Sequence, residues 1–318
     1  MATLANHPDF QPRASRPPLH YNSRANKISR SQRMLLDALP FTFLLGLGAL
    51  LQYLWSFSIS YIPLVLRSGR WVHLGPLSAL FRVGAFTLPL ILLVGPWIKP
   101  TLQSYKILRN PWMDASISEK VYPKIPGGEV NEEGILESPE FALLLIGARC
   151  NKPFGPFDKN FKQIGDDFAK MWVDLEADPN SGLLNANSYI STDRPLNNQL
   201  MTIGYFRSTA DVHAFAHKKF HRDVWTNYFA IPEKDREGLE IWHELYTIKA
   251  GGSEGIYINS TAHGLGGFFT QVGADGDSEG QGDEKTEGVK GEAGEWISTL
   301  RSAKGRFSSS KGRMGMKV

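Results

Sequence analysis

A single cysteine, Cys150, is all that this 318-residue chain contains, so no disulfide can close within it. That economy fits a reducing compartment. Charge is missing altogether from residues 38–66, ALPFTFLLGLGALLQYLWSFSISYIPLVL, which lie between Asp37 and Arg67. A helix of that length reaches about 43 Å, against a hydrocarbon core of about 30 Å. A helix of a globular domain would carry a polar face, and this run has none. It points to a membrane span over about 40–66. Net charge is small, +3, and gives no argument for nucleic acid as a partner. HExxH, a P-loop, a dinucleotide fingerprint and a serine nucleophile elbow are all absent. An enzyme built from this sequence would rely on a bound cofactor, on its substrate's own reactivity, or on a simple acid–base pair.

A second apolar stretch covers about 77–98, where Arg82, Pro89 and Pro96 weaken a regular helix. Together the runs predict a transmembrane helical hairpin within residues 34–98. Two other readings stay open, in which 77–98 lies along the interface or is a buried helix of the soluble domain. Arg13, Arg16, Arg24, Lys27, Arg30 and Arg33 precede the first run, and Lys99, Lys106 and Arg109 follow the second. Cations flank spans on the cytoplasmic side. The expected location is therefore a membrane, that of the endoplasmic reticulum, with the downstream domain in the cytosol. Residues 1–33 are expected to be a disordered basic terminus and 99–139 a linker. Residues 271–318, rich in Gly with an acidic block before a basic one, are expected to be a disordered tail.

Residues 140–270 read as one globular domain. Glu140–Arg149 is a short apolar run with strand character, and Phe157–Glu176 repeats apolar residues at helical steps. Asp178-Pro-Asn-Ser-Gly182 stops that helix. Asn185–Thr192 and Gln199–Arg207 are expected strands, joined by a turn at Asp193–Asn198. Thr209 is an expected cap for a helix running to about Phe229, and Glu240–Lys249 alternates as a last strand. The order β-α-β-β-α-β is the ferredoxin-like arrangement of an α+β domain, with helices on one face of an antiparallel sheet. The other face needs cover, and a face-to-face homodimer would supply it.

His213, His217, His221 and Trp225 follow one another at four-residue steps on the second helix. This row reads as a solvated rim, a metal site, or a stripe with one proton-handling or haem-facing His. In Trp242-His243-Glu244-Leu245-Tyr246 strand alternation separates His243 from Trp242 and Glu244. His243 reads as a hydrogen-bonded core residue or as a base near neutral pH. Cys150 has no CxxC partner and reads as inert packing.

His221-x-x-x-Trp225, Ile241-Trp-His-Glu-x-Tyr246 and Glu254-x-x-Tyr257 followed by Gly264-Leu265 make the segment from Phe141 to about Leu265 similar to a known family. It resembles the antibiotic-biosynthesis-type monooxygenases typified by the fumagillin-cluster enzyme. The resemblance implies a dimeric α+β barrel, related to cofactor-independent oxygenases and more distantly to haem-binding aldoxime dehydratases. It implies dioxygen and a hydrophobic terpenoid or polyketide as reactants, with a membrane tether suited to them. Haem is the alternative to no cofactor, and a lyase or a non-enzymatic tethered carrier the alternative activity. Chemistry placed on the motif positions makes His221, His243 and Glu244 the candidate catalytic residues. Trp225, Trp242, Tyr246, Glu254 and Tyr257 become candidate substrate contacts, with no metal ligands expected.

Overall fold

The computed structural model describes residues 10–17, 45–54, 98–110, 113, 116–125, 138–153, 155–191, 199–272, 292–314 and 316. The chain divides into two compact units, residues 39–111 and the remainder. Within the first unit, 45–54 and 98–104 are helical. Most of the expected spans 40–66 and 77–98 lies outside the described residues. Among the described residues no helix is long and apolar enough to cross a membrane.

The second unit is built on a four-stranded sheet. Strand β1, Val121–Pro123, precedes it. The sheet comprises β2 (Phe141–Cys150), β3 (Leu183–Ile190), β4 (Leu200–Phe206) and β5 (Leu239–Ile248). Its order is β3-β4-β2-β5, with every neighbouring pair antiparallel. Helix α1 (Lys159–Ala177) links β2 to β3, and α2 (Thr209–His217), α3 (Lys219–Ala230) and the short α4 (Glu233–Arg236) link β4 to β5. Each crossover skips one strand, which is the ferredoxin-like topology. The Asp193–Asn198 turn lies outside the described residues, but the strands either side of it pair as a hairpin would.

Local chemistry explains the elements. Asp158 caps α1 by accepting from the backbone N–H groups of Asn160 and Phe161 at 2.9 and 3.0 Å. Phe161, Ile164, Met171, Trp172 and Leu175, at three- and four-residue steps, are its buried stripe. Gly182 takes a φ of +70° in the turn after it. Ser208, not the expected Thr209, caps α2 and accepts from the Asp211 N–H at 3.2 Å. The Thr209 hydroxyl bonds instead to that of Thr247 on β5, at 2.9 Å.

The helices cover one face of the sheet. Trp172, Leu175, Val212 and Phe215 pack there on Ala142, Leu144, Ala186 and Phe206. Gly204 makes room for Trp172: a Cβ at that position would meet the indole at 2.8 Å. Cys150, Phe161, Ile164, Ile231 and Leu239 close the far end.

The opposite face is partly covered by the chain itself. Phe268 and Ile125 pack on Phe141, with Leu143, Leu184, Tyr205 and Ile248 around them. Strands β6 (Phe269–Gln271) and β7 (Trp296–Ser298) pair, as do β1 and β8 (Leu300–Ser302). Arg13 bridges to Trp296, and Phe10, Ile117, Val121, Ala262, Val272, Ile297 and Leu300 form a second core. A disordered tail over 271–318, a linker over 99–139 and a disordered 1–33 therefore do not describe residues 292–314, 116–125 and 10–17. Each piece is too short to show periodicity, and they fold by packing on one another. The expected boundary at residue 270 cuts through β6.

Candidate functional site

The expected helix 209–229 breaks in two. Lys218 adopts extended backbone, φ −67° and ψ 150°, and its ammonium pairs with Asp178 at the end of α1. That ion pair is the leading reason that the Asp178 carboxyl lies below the usual carboxylate range. The break ends the shared row of histidines. His213 and His217 on α2 are exposed, whereas His221, in the first turn of α3, is half-buried against Phe215 with ring centroids 4.9 Å apart.

His221 Nδ1 lies 3.0 Å from the Ala216 carbonyl oxygen. A carbonyl can only accept, so the bond requires the proton on Nδ1 and leaves Nε2 as the lone-pair nitrogen. Burial is the main cause that holds the imidazole below its ordinary pKa. The Ala216 carbonyl draws it partly back, and the nearby His243 and His217 push it down again. His243 stands on edge strand β5 opposite Ile146, on the helix-covered face, and is itself exposed. Two histidines widely separated in sequence thus share one corner, beside the partly buried Ile146, Phe220, Val224 and Leu245.

Two bonds hold α3 over this corner. Asn227 donates to Asp167 on α1 at 3.0 Å, and the Tyr228 hydroxyl donates to the Leu239 carbonyl at 2.9 Å. Trp225 is 52% exposed on the outer side of α3, its ring tilted against that of Phe229 with centroids 4.8 Å apart.

The remaining candidates lie elsewhere. Trp242, Glu244 and Tyr246 stand on the face away from α1–α3. The Trp242 indole lies over Gly147, where a Cβ would meet it at 2.6 Å, and its buried N–H has no partner among the described residues. The Tyr246 hydroxyl donates to Glu244 at 2.5 Å, and that bond is the chief reason its pKa is raised. Glu244 therefore sits on the other side of the sheet from His221 and His243.

Tyr257 packs against the second core, and Glu254, three residues before it, is exposed. Glu254 forms an ion pair with Arg313. The Tyr257 hydroxyl donates to the His263 carbonyl at 2.8 Å and accepts from the Gly266 N–H at 3.0 Å. Burial, above all, raises its pKa. Cys150 is buried, which pushes its thiol pKa up, as an inert packing residue requires.

Sequence reasoning missed Asn185 and Asn187. A bulge between Leu183 and Asn185 shifts the phase of β3, so Asn185 faces the terminal segments instead of the helices. Asn185 donates to the Gly264 carbonyl at 2.8 Å, while the Gly264 N–H donates to Asn187 at 2.9 Å. Gly264 itself holds a φ of +54°. The Gly264-Leu-Gly-Gly267 turn signal could have pointed to them, as a turn that two amides hold. Among the described residues no three His, Cys, Asp or Glu side chains gather as a metal site.

With this geometry in place, similarity to known proteins has a definite location. Residues 141–265 match the sequence model of a family described as Monooxygenase af470-like. Monooxygenase af470 of Aspergillus fumigatus is 26% identical over 196 residues, which are 61% of this chain and 65% of that protein. The chain thus spans slightly less than two thirds of that relative. Among solved structures, SnoaB, a cofactor-independent oxygenase from Streptomyces nogalater, aligns at a TM-score of 0.24 and 12% identity, covering 34% of this chain and 92% of its own. An aldoxime dehydratase crystallised with butyraldoxime aligns at 0.31 and 18%, covering 47% of this chain and 42% of its own. The matched segment begins at the first residue of β2 and ends in the turn that Asn185 and Asn187 clamp, so it takes in the whole sheet and both histidines. Residues 141–265 are therefore the part of this chain that is similar to the af470-like monooxygenases.

Proposed function

We propose that this protein is a membrane-anchored monooxygenase that tailors a hydrophobic secondary metabolite, a terpenoid or polyketide, with dioxygen and no bound cofactor. The observation that carries the reading is His221: half-buried, held below its ordinary pKa, with Nδ1 engaged and Nε2 left to take a proton. The kinship of residues 141–265 to a family of monooxygenases supports it. The anchor rests on the uncharged run 38–66 and on the cations around the apolar stretches, which favour a cytosolic domain at the endoplasmic reticulum.

In this reading His221 Nε2 takes a proton from an acidic CH₂ of the substrate. The carbanion adds dioxygen to give a peroxide anion, which recovers the proton from the imidazolium. Loss of water from the resulting CH–OOH leaves a carbonyl. One oxygen atom enters the product and the other leaves as water with the two hydrogens of the CH₂, so no external reductant is needed. His243, exposed beside it, raises the cost of protonating His221 and so returns the proton readily. The apolar side chains around the corner exclude water from the carbanion.

Turnover should stop without oxygen and resume when it is readmitted, with label from ¹⁸O₂ in the product. Equal product under anaerobic conditions would sink the proposal. A second reading rests on the same hydrogen bond, because histidines that ligate metals commonly donate their other nitrogen to a carbonyl. Haem bound at His221 would supply lyase chemistry. The purified chain would then show a Soret band that His221→Ala removes.

A further inference from the structure

Most of the large aromatic side chains of the sheet domain are packed; Tyr189 and Tyr246 are exposed on strands, and three more stand out on the loop after β2 and on α3. Phe157, Trp225 and Phe229 are 59, 52 and 50% exposed. Trp225 and Phe229 are one turn apart on α3, and their rings meet at a tilt of 55°. Phe157 ends the loop after β2, and that loop is tied to α4 by Lys152, whose ammonium donates to the Asp235 carbonyl. Arg236 of α4 lies over the Phe229 ring at 4.9 Å and over Tyr228 at 5.7 Å, and donates to the Phe229 carbonyl at 3.3 Å. The three aromatics are thus held around one knot of backbone.

Leaving these rings in water costs burial energy that an ordinary helix edge would avoid by placing charge there. Trp and Phe beside Arg is the composition of surfaces that rest in the headgroup layer of a bilayer. Arg222, one turn before Trp225, makes no ion pair among the described residues and is exposed. A guanidinium there and at Arg236 can meet phosphate oxygens while the rings enter the acyl boundary. The chain also carries the 29-residue uncharged run 38–66, which would keep a bilayer within constant reach of this edge.

We propose that the Phe157–Trp225–Phe229 edge docks onto the membrane surface, with the bilayer as its occupant and Trp225 inserted at headgroup depth. This deepens the membrane-anchored reading and rests on it. Trp225 follows His221 by one turn of α3, so docking brings the candidate corner to the surface in which a lipophilic substrate dissolves. The substrate need not cross water.

The test uses the full chain with phosphatidylcholine vesicles containing phosphatidylserine, with bromine placed shallow or deep in the acyl chains. The Trp225→Phe variant, exposed and conservative, isolates the Trp225 contribution by difference from the other tryptophans. Roughly half or more of that contribution should be lost with shallow bromines, and less with deep ones, as insertion by about 5–10 Å requires. A Phe157→Ser, Phe229→Ser double variant should restore Trp225 emission while the chain still floats with vesicles. A chain that floats with vesicles while its Trp225 stays unquenched would overturn the docking and leave the anchor standing. A chain that does not float at all would overturn both.

Discussion

The two faces of the four-stranded sheet are put to different uses. On one, α1 and α2 supply a continuous core around Trp172, and a corner near α3 and β5 is left with two histidines and half-buried apolar side chains. On the other, pieces of chain from both ends of the sequence fold over part of the sheet, and several polar groups there are spent on one another. Glu254 takes Arg313, Tyr257 takes the Gly266 and His263 backbone, and Asn185 with Asn187 take Gly264. Motif position made Glu254 and Tyr257 candidate substrate contacts and His221 a candidate catalytic residue. Their partners distinguish them: a side chain whose hydrogen bonds are used within the fold has little left for a substrate, while His221 keeps Nε2.

Breaking the helix-covered face should have the largest effect. Trp172 is fully buried, and Gly204 is shaped around it. Trp172→Ala should cost about 3–5 kcal/mol in denaturant unfolding, with relaxation of the corner above it. Removing the chemistry without the packing comes next. His221→Ala should lower turnover by about 10²–10⁴-fold, the range for loss of a positioned base, with unfolding changed little. His243→Ala should act more weakly, by raising the His221 pKa and moving the acid limb of the pH–rate profile upward.

The opposite face should respond in the converse way. Asn185→Ala removes the bond to Gly264 and should cost about 1–3 kcal/mol. Hydrogen exchange should speed up over residues 257–272, while the His221 titration and the oxygen reaction stay as they were. A change in turnover equal to that of His221→Ala would erase the distinction between the faces.

The smallest effect is on pH. Burial holds His221 below the 6.5 of a free imidazole, so between its folded pKa and 6.5 the unfolded chain binds more protons. Stability from this group is therefore complete above about pH 6.5 and falls as the pH drops through that window. Thermal melts of wild type and His221→Asn between pH 5 and 7.5 should keep a constant offset near neutrality and change relative to each other toward pH 5, where only the wild type must protonate a buried imidazole.

Much of this was legible in the sequence, for physical reasons that can be named. The apolar run 140–149, the helical steps of 157–176 and the Asp178–Gly182 stop fall within two or three residues of β2, α1 and its turn. Strong local periodicity made them readable. The break at Lys218 was not, because no Gly or Pro marks it; its extended backbone goes with an ion pair to Asp178, 40 residues away. The second core was hidden for the same reason, since Phe10, Val121, Tyr257 and Ile297 become neighbours only after folding. The site was half legible. Sequence put His221 and His243 forward as candidates, but only the topology brings them to one corner and puts Glu244 on the far side of the sheet.

The account turns on the state of His221, and nuclear magnetic resonance of the chain labelled with ¹⁵N-histidine measures it directly. Long-range ¹H–¹⁵N correlations should show the proton on Nδ1 and the lone pair on Nε2 at neutral pH, with titration below 6.5. A proton on Nε2, or a titration at or above 6.5, would contradict it.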